Sequence, residues 1–216
     1  MITRVLTQES PAVRYLCDRD ERLSHLVAAM GSVECRPPSE SPFAFLVHEI
    51  AEQMLSVKAA ERIFGRITSL CPAGVSPDAI ACLSIEQLRG CGVSTRKAAA
   101  ILSLARAVLS GELDLAALEA MSDADVTAKL TSLRGIGSWT AKMYLIFVLE
   151  REDVLPFEDG AFLQAYRWLY ESADCSRRAV EERCAAWKPH SSAAARFLYQ
   201  ALDTGLCARA VQDVLS

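Results

Sequence analysis

The stretch of sequence that decides the fold reads Leu133-Arg134-Gly135-Ile136-Gly137-Ser138-Trp139-Thr140-Ala141. Two glycines flank one apolar residue immediately before a helical pattern begins. Because glycine adopts positive φ at little cost and allows another backbone to come close, the stretch predicts a tight hairpin. The N–H groups of the next helical turn, reinforced by the helix dipole, form a binding site for an anion such as a phosphate. A bare Gly-x-Gly is more often an ordinary turn before a core helix, so the residues around it decide between the two.

The chain around this hairpin has a helical pattern. Trp139, Met143, Ile146 and Phe147 fall at positions i, i+4, i+7 and i+8, which places them on one face of a helix. No segment alternates convincingly with the period of two that a half-buried strand requires. Helices are predicted at about 19–31, 42–54, 57–69, 95–109, 123–131, 138–150, 160–171, 178–186 and 191–203. The sequence therefore predicts an all-α fold.

Two helix starts carry capping signals. Ser122 with Asp125 is typical of a capping box. Ser41 and Pro42 suit an N-cap and a first helical residue, and they end a proline-rich break in the chain. Pro156 similarly interrupts the helical pattern, which predicts a loop before the next helix.

The length and composition fit one domain with a sizeable core. The chain has 216 residues, of which 51% are hydrophobic, and this is ample for a globular protein. We expect a single domain over residues 1–216 that is built as two helical lobes. One lobe comprises residues 42–150 and ends in the hairpin, and the other comprises residues 1–41 and 151–216.

Charge and cysteine usage limit the class of protein. A formal net charge of −4 argues against a protein that coats nucleic acid, although it allows an enzyme that binds a few phosphates through backbone amides. The eight cysteines are scattered without a Cys-x-x-Cys, which in a reducing compartment favours small buried residues. No apolar run reaches the roughly 18 residues of a membrane span, and no signal peptide is evident. We expect a soluble cytoplasmic protein that is monomeric and has no membrane partner.

The full string Leu-x-Gly-Ile-Gly-x-Trp-Thr-Ala, followed by Asp159, resembles the helix-hairpin-helix (HhH-GPD) superfamily of base-excision DNA glycosylases. Within that superfamily the chain is most similar to the 3-methyladenine DNA glycosylase II family. The resemblance implies an active cleft between the two lobes, base flipping, and double-stranded DNA with damaged bases as the partner at the nucleoid. It implies DNA contacts by Gln53, Met54, Arg134, Gly135, Ile136, Gly137, Thr140 and Lys142.

Residues 50–60 resemble a second block of the family, written I-x-x-Q-Q-x-S-x-x-A-A. Gln53 matches its first glutamine, and Met54 replaces the second. Near this point the family presents a side chain that fills the gap left by the flipped base. An exposed methionine suits that wedge because it is unbranched and adaptable, although a buried methionine is the commoner outcome.

Asp159 lies where the family places its catalytic aspartate. Cleavage of an N-glycosidic bond develops positive charge on the sugar, which a fixed carboxylate stabilises while it orients or deprotonates a water. An aspartate before a helix is also a routine N-cap, and the two roles are compatible. Asp153 and Glu158 are rival carboxylates, and the adjacency of Glu158 leaves a one-residue error in register open.

The base pocket is assigned to Trp139 and Tyr199, because aromatic walls suit a cationic alkylated base, and to Met143 on the same helix face as Trp139. A core role is open for each aromatic residue. Trp139 stands where bifunctional relatives carry a catalytic lysine, and tryptophan cannot form the Schiff base that leads to strand cleavage. The chain departs from the family pattern at Met143, where some members carry a tyrosine, and at Ser191, where an arginine is usual.

The resemblance also implies a monovalent cation, Na⁺ or K⁺, held at the hairpin by the backbone carbonyls of Thr131, Leu133 and Ile136. Bifunctional relatives often end in a four-cysteine iron–sulfur cluster. Cys175, Cys184 and Cys207 are nine and 23 residues apart, which matches no such pattern. We therefore expect no iron–sulfur cluster and no required cofactor.

The sequence thus predicts a monofunctional DNA glycosylase that hydrolyses alkylated purines from duplex DNA in base excision repair. Besides a structural helical protein whose hairpin touches no DNA, which is the weakest option, two alternatives stay open. One is a glycosylase for another damaged base, deaminated or oxidised. The other is a catalytically silent helix-hairpin-helix module that only binds DNA, against which the presence of Asp159 argues.

Overall fold

The computed structural model of the chain describes residues 4–35 and 41–215, except for the side chains of Val57 and Leu215. The secondary structure is overwhelmingly helical, which confirms the predicted all-α class. The elements are β1 (Arg4–Thr7), α1 (Pro11–Cys17), α2 (Glu21–Met30), β2 (Ser32–Cys35), α3 (Pro42–Glu52), α4 (Val57–Ser69), α5 (Pro77–Ala81), α6 (Ile85–Gly90), α7 (Thr95–Leu109), α8 (Asp123–Thr131), α9 (Ser138–Phe147), α10 (Gly160–Tyr170), α11 (Arg177–Cys184), α12 (Ser191–Asp203) and α13 (Gln212–Leu215). Short 3₁₀ turns occupy Ala117–Ala120, Ala185–Trp187 and Leu206–Ala208. None of the described helices is long and apolar enough to cross a membrane.

The chain divides into two compact units. The central unit comprises residues 38–149, and the terminal unit comprises residues 1–37 together with 150–216. The central unit is therefore one continuous segment, whereas the terminal unit is assembled from both ends of the chain.

The central unit contains helices α3 to α9. Its helix starts follow the predicted caps: the Ser41 hydroxyl accepts a hydrogen bond from the Ala44 N–H, and Ser122 does the same for Asp125. The proline-rich break before Ser41 otherwise lies outside the described residues. Helix α3 packs against α4, α7 and α9, and its apolar residues are buried almost throughout. This packing brings the hairpin between α8 and α9 against α7.

The terminal unit surrounds an aromatic core. The largest fully buried side chains in this unit are those of Phe162, Tyr166, Trp187 and Phe197. Helix α10 packs against α12, and α2 packs against both. Asp20 binds two core rings, because its carboxylate accepts hydrogen bonds from the Tyr170 hydroxyl and the Trp187 indole.

Two short strands, which the sequence pattern does not predict, accompany the helices. β1 and β2 pair antiparallel, with Arg4 opposite Cys35 and Thr7 opposite Ser32. Each strand has four residues, and only Leu6, Val33 and Cys35 of the eight are buried. Strands this short give too few alternations for the period of two to stand out in the sequence.

Candidate functional site: the hairpin and the carboxylate

The hairpin between α8 and α9 has the tight geometry that its glycines predict. Gly135 has a φ of +88°, a conformation that favours glycine. A Cβ at this position would lie 2.4 Å from the Cβ of Ala100 on α7. Leu133 and Ile136 are buried on either side, and the Ile136 N–H donates to the Leu133 carbonyl at 3.2 Å. Gly135 is thus required by the fold itself.

Gly137 differs from Gly135 both in its backbone conformation and in the space around its Cα. It is the exposed N-cap of α9, with a φ of −103° that any residue adopts. A Cβ built there meets no heavy atom of the described residues within 4 Å. The fold therefore gives no reason for glycine at this position, and the space beside it lies open at the N-terminus of a helix.

Gln53 and Thr140, both predicted DNA contacts, bind each other and the hairpin. The Gln53 side-chain amide donates to the Gly135 carbonyl at 2.9 Å and to the Thr140 hydroxyl at 3.3 Å. Thr140 is completely buried. The Gln53 side chain therefore ties the end of α3 to the hairpin, and the Thr140 hydroxyl is closed to solvent.

Met54, the predicted wedge, is fully exposed, with a relative accessibility of 100%. Its φ is +63°, in the left-handed region that is unfavourable for a side chain of this size. Surrounding contacts must therefore hold the backbone in this conformation. A large exposed apolar side chain on a strained backbone is typical of a site where function rather than stability selects the residue.

Lys97, which the sequence pattern does not single out, holds the backbone on the N-terminal side of Met54. Its ammonium donates to the carbonyls of Ala51 and Gln53 at 2.8 and 2.6 Å. Burial lowers the pKa of Lys97, whereas the charge of Glu52 raises it. The available signal was electrostatic: Lys97 lies in the first turn of α7, where the helix dipole disfavours a cation, so another partner was to be expected.

Replacement of Lys97 by methionine is expected to destabilise the central unit by about 1–3 kcal/mol, because two carbonyls at the end of α3 lose a charged donor. The same change should weaken the base flipping that the family resemblance implies, measured by the fluorescence of 2-aminopurine beside a damaged base. Lys97→Arg should retain part of both properties. The control is Arg106→Met, which removes one exposed positive charge from the same helix. Equal behaviour of the Lys97→Met and Arg106→Met variants would contradict the role of Lys97.

Helix α9 carries the remaining predicted residues of the central unit. Met143 and Ile146 are buried, whereas Trp139, Lys142 and Phe147 are partly exposed. Arg134 is exposed in the hairpin. The helix ends at Phe147, earlier than predicted, and Glu150 has a φ of +50° that α-helical backbone does not allow.

Asp159 is the buried carboxylate of its loop. Its residue is only 7% exposed, and it forms the N-cap of α10. The Phe162 N–H donates to its Oδ1 at 2.7 Å, and its own N–H donates to the Pro156 carbonyl at 2.9 Å. The rival carboxylates Asp153 and Glu158 are both exposed. Asp159 is therefore fixed in direction and faces the positive end of a helix dipole.

Tyr199, the third predicted pocket residue, lies on α12 in the terminal unit. It is half-buried, and its ring approaches Phe162 edge-on with the ring centres 6.4 Å apart. Phe162 is also the residue that donates its N–H to Asp159. Tyr199 and Asp159 are therefore linked through one residue of α10.

Two places in the structure bear on metal binding. Among the described residues, His48, Glu49 and Glu52 are the group of side chains whose ligand atoms approach closely enough to hold a metal ion. The eight cysteines, all of them in the described part of the chain, are free.

At the hairpin, Thr131 ends α8, and the Leu133 carbonyl accepts one hydrogen bond and keeps a second lone pair. The negative end of the α8 dipole favours a cation at this position.

Comparison with known proteins identifies a family that this chain matches. The HhH-GPD superfamily of base excision DNA repair proteins matches residues 47–190, a span that includes both the hairpin and Asp159. The chain belongs to this family.

Relatives within the family are named as 3-methyladenine DNA glycosylases or glycosidases. DNA-3-methyladenine glycosylase 1 of Schizosaccharomyces pombe is 34% identical over 171 residues, which cover 77% of this chain and 75% of that protein. A DNA-3-methyladenine glycosidase structure from Bacillus halodurans is 34% identical, covers 98% of each chain and has a TM-score of 0.82. The S. pombe 3-methyladenine DNA glycosylase in complex with abasic DNA is 32% identical, with a TM-score of 0.83 over 90% of this chain and 97% of that one. The resemblance to 3-methyladenine DNA glycosylases is confirmed.

Proposed function

We propose that this chain is a monofunctional DNA glycosylase that hydrolyses the N-glycosidic bond of alkylated purines, of the 3-methyladenine type, in duplex DNA. The observation that carries the proposal is Asp159, a buried carboxylate held by the Phe162 N–H at the start of α10. It belongs to a chain whose relatives are named for this activity. The proposed setting is base excision repair on the DNA inside the cell.

In the proposed mechanism, Asp159 stabilises the positive charge that develops on the sugar during cleavage. As the base departs, the sugar gains oxocarbenium character, and a fixed carboxylate stabilises that charge without reorganising. The same carboxylate orients or deprotonates the attacking water. An alkylated purine already carries positive charge and leaves readily, so the proposed reaction needs no general acid.

The hairpin is proposed to bind one DNA phosphate at the N-terminus of α9. Support comes from Gly137, where glycine leaves space that no described residue fills and where the helix dipole favours an anion. Arg134, exposed beside it, and Lys142 add positive charge. A few such contacts allow a chain with a net charge of −4 to bind DNA locally.

The absence of strand cleavage is proposed from Trp139. A lyase step needs an amine that attacks the sugar and forms a Schiff base, and an indole cannot do so. Trp139 is partly exposed on α9, which allows it to stack on a cationic base. Met143, one turn further along the same helix, is buried and is proposed only as part of the pocket lining.

The one bound group that we propose is a monovalent cation at the hairpin. The carbonyls of Thr131, Leu133 and Ile136 would hold a monovalent cation, which would stabilise the turn between α8 and α9. No iron–sulfur cluster and no cofactor for the reaction are proposed, and the working form is proposed to be a monomer.

The test is base release from duplex DNA treated with a methylating agent. We expect the wild-type protein to release 3-methyladenine or 7-methylguanine, identified chromatographically, and to leave abasic sites that break only after alkali. Borohydride should trap no covalent protein–DNA complex. Binding without release would favour the silent module, and release of only deaminated or oxidised bases would favour the other glycosylase. Strand breaks without alkali would refute the monofunctional mechanism.

A further inference from the structure

The loop that leads to Asp159 is bonded to the start of α12, 38 residues further along the chain. Residues 152–154 lie against residues 190–192, and the contacts come from consecutive residues on both sides. Two of those residues are serines, Ser191 and Ser192, which are only 1% and 4% exposed. We refer to this pair as the serine clamp.

Ser192 holds the backbone of the loop. Its N–H donates to the Glu152 carbonyl at 3.0 Å, and its hydroxyl oxygen accepts the Val154 N–H at 3.0 Å. These bonds satisfy loop groups that no helix or strand serves, because residues 151–159 form no regular element. Val154 itself is buried.

Ser191 binds the side chain of Asp153, the residue between Glu152 and Val154. Its hydroxyl donates to Asp153 Oδ1 at 2.5 Å. Because Ser191 is the first residue of α12, the Asp153 carboxylate lies at the N-terminus of that helix, where the dipole favours negative charge. Asp153 is thus a structural anchor, although it was a rival candidate for catalysis.

The segment that carries the clamp is itself held in place. Trp187 donates its indole N–H to Asp20 at 2.9 Å, and the Tyr15 hydroxyl donates to the Lys188 carbonyl at 2.6 Å. On the other side, Pro156 is buried and accepts the Asp159 N–H. The loop is therefore fixed at the clamp and again at Asp159, with only residues 155–158 between.

We propose that Ser191 and Ser192 are positioning residues for base excision, which act by setting the place of Asp159. This inference rests on the proposed function of Asp159. A displacement of about 1 Å costs a catalytic group up to roughly 100-fold in rate. Loss of either clamp contact should therefore lower the rate of chemistry while DNA binding through the hairpin persists.

The experiment compares Ser192→Ala, Ser191→Ala and Ser191→Thr with the wild-type protein and with Ser10→Ala. Ser10 is a matched control in the same unit, since its hydroxyl also accepts one backbone N–H at 3.0 Å. The readouts are the single-turnover rate of 3-methyladenine release and the Kd for duplex DNA with an abasic-site analogue. We expect rates at least about 10-fold lower for Ser192→Ala and about 3- to 10-fold lower for Ser191→Ala, each with an unchanged Kd. Ser191→Thr keeps the hydroxyl and should therefore lose less of the rate than Ser191→Ala, and Ser10→Ala should leave the rate unchanged.

A second comparison separates positioning from general loss of structure. In an Asp159→Asn background, Ser192→Ala should have no further effect on the residual rate, because the clamp acts through the carboxylate. Rates within twofold of wild type for both alanine variants, or equal losses with and without Asp159, would overturn the proposal.

Hydrogen exchange tests the clamp without reference to activity. The Phe162 N–H is bonded to Asp159, so it should exchange faster in Ser192→Ala than in the wild type or in Ser10→Ala. Unchanged exchange at Phe162 would overturn the inference even if the enzyme is active. Failure of the wild-type protein to release any methylated base would instead refute the proposed function.

Discussion

Replacement of Asp159 by asparagine is expected to lower the single-turnover rate of base release by at least about 100-fold, the usual effect of removing one preorganised electrostatic group. Asparagine keeps the size of the side chain and still accepts the Phe162 N–H, and it is as good an N-cap as aspartate. The free energy of unfolding should therefore change by less than about 1 kcal/mol. Chromatography of released bases and urea unfolding measure the two quantities.

The control for this substitution is Glu158→Gln. Glu158 is the adjacent carboxylate, but it is exposed, so its loss should change the rate by less than twofold. The reverse result, an active Asp159→Asn and an inactive Glu158→Gln, would show that the catalytic position is one residue earlier. DNA binding by both variants should equal that of the wild type, because neither residue lies in the hairpin.

Replacement of Gly135 by alanine is expected to destabilise the central unit by about 2–5 kcal/mol. Left-handed backbone costs a residue with a Cβ about 1–2 kcal/mol, and overpacking adds about 1–3 kcal/mol. Here the added methyl would lie 2.4 Å from Ala100 Cβ, so the hairpin or α7 must move. That movement would also strain the bond from Gln53 to the Gly135 carbonyl. Urea unfolding measures the loss.

Gly137→Ala provides the matched comparison, since it adds the same methyl two residues away. We expect its free energy of unfolding to change by less than about 1 kcal/mol, because the φ is ordinary and the space is open. Its affinity for duplex DNA should nevertheless fall, because the methyl would obstruct a phosphate at the start of α9. If Gly135→Ala unfolds like the wild type, the close approach to α7 is not what requires glycine.

The parts of this fold that could be predicted from sequence are those fixed by neighbouring residues. Ser41, Ser122 and Asp159 each cap a helix by accepting an N–H three residues ahead. A cap needs only a short polar side chain before an apolar pattern, so the sequence carries the whole signal. The hairpin was also predictable, because its signal lies in consecutive residues of the sequence.

The contacts that the sequence did not reveal join distant residues. Lys97 binds carbonyls 44 and 46 residues away, and Gln53 binds Gly135 across 82 residues. Each of these hydrogen bonds depends on how the helices pack against one another. The spacing of residues in a single sequence does not encode this packing. The two hairpin glycines illustrate the limit, because they look equivalent in sequence. Their different φ values and the position of Ala100 on another helix distinguish them.

The division of the chain into units has a consequence for the order of folding. The central unit is continuous over residues 38–149, whereas the terminal unit needs segments from both ends. During synthesis the central helices have all their partners once residue 149 has emerged. Strands β1 and β2 and helices α1 and α2 must wait for α10 and α12 before their core is complete. Such long-range closure is slow compared with local helix packing, so the hairpin should be formed on the ribosome well before Asp159 is buried.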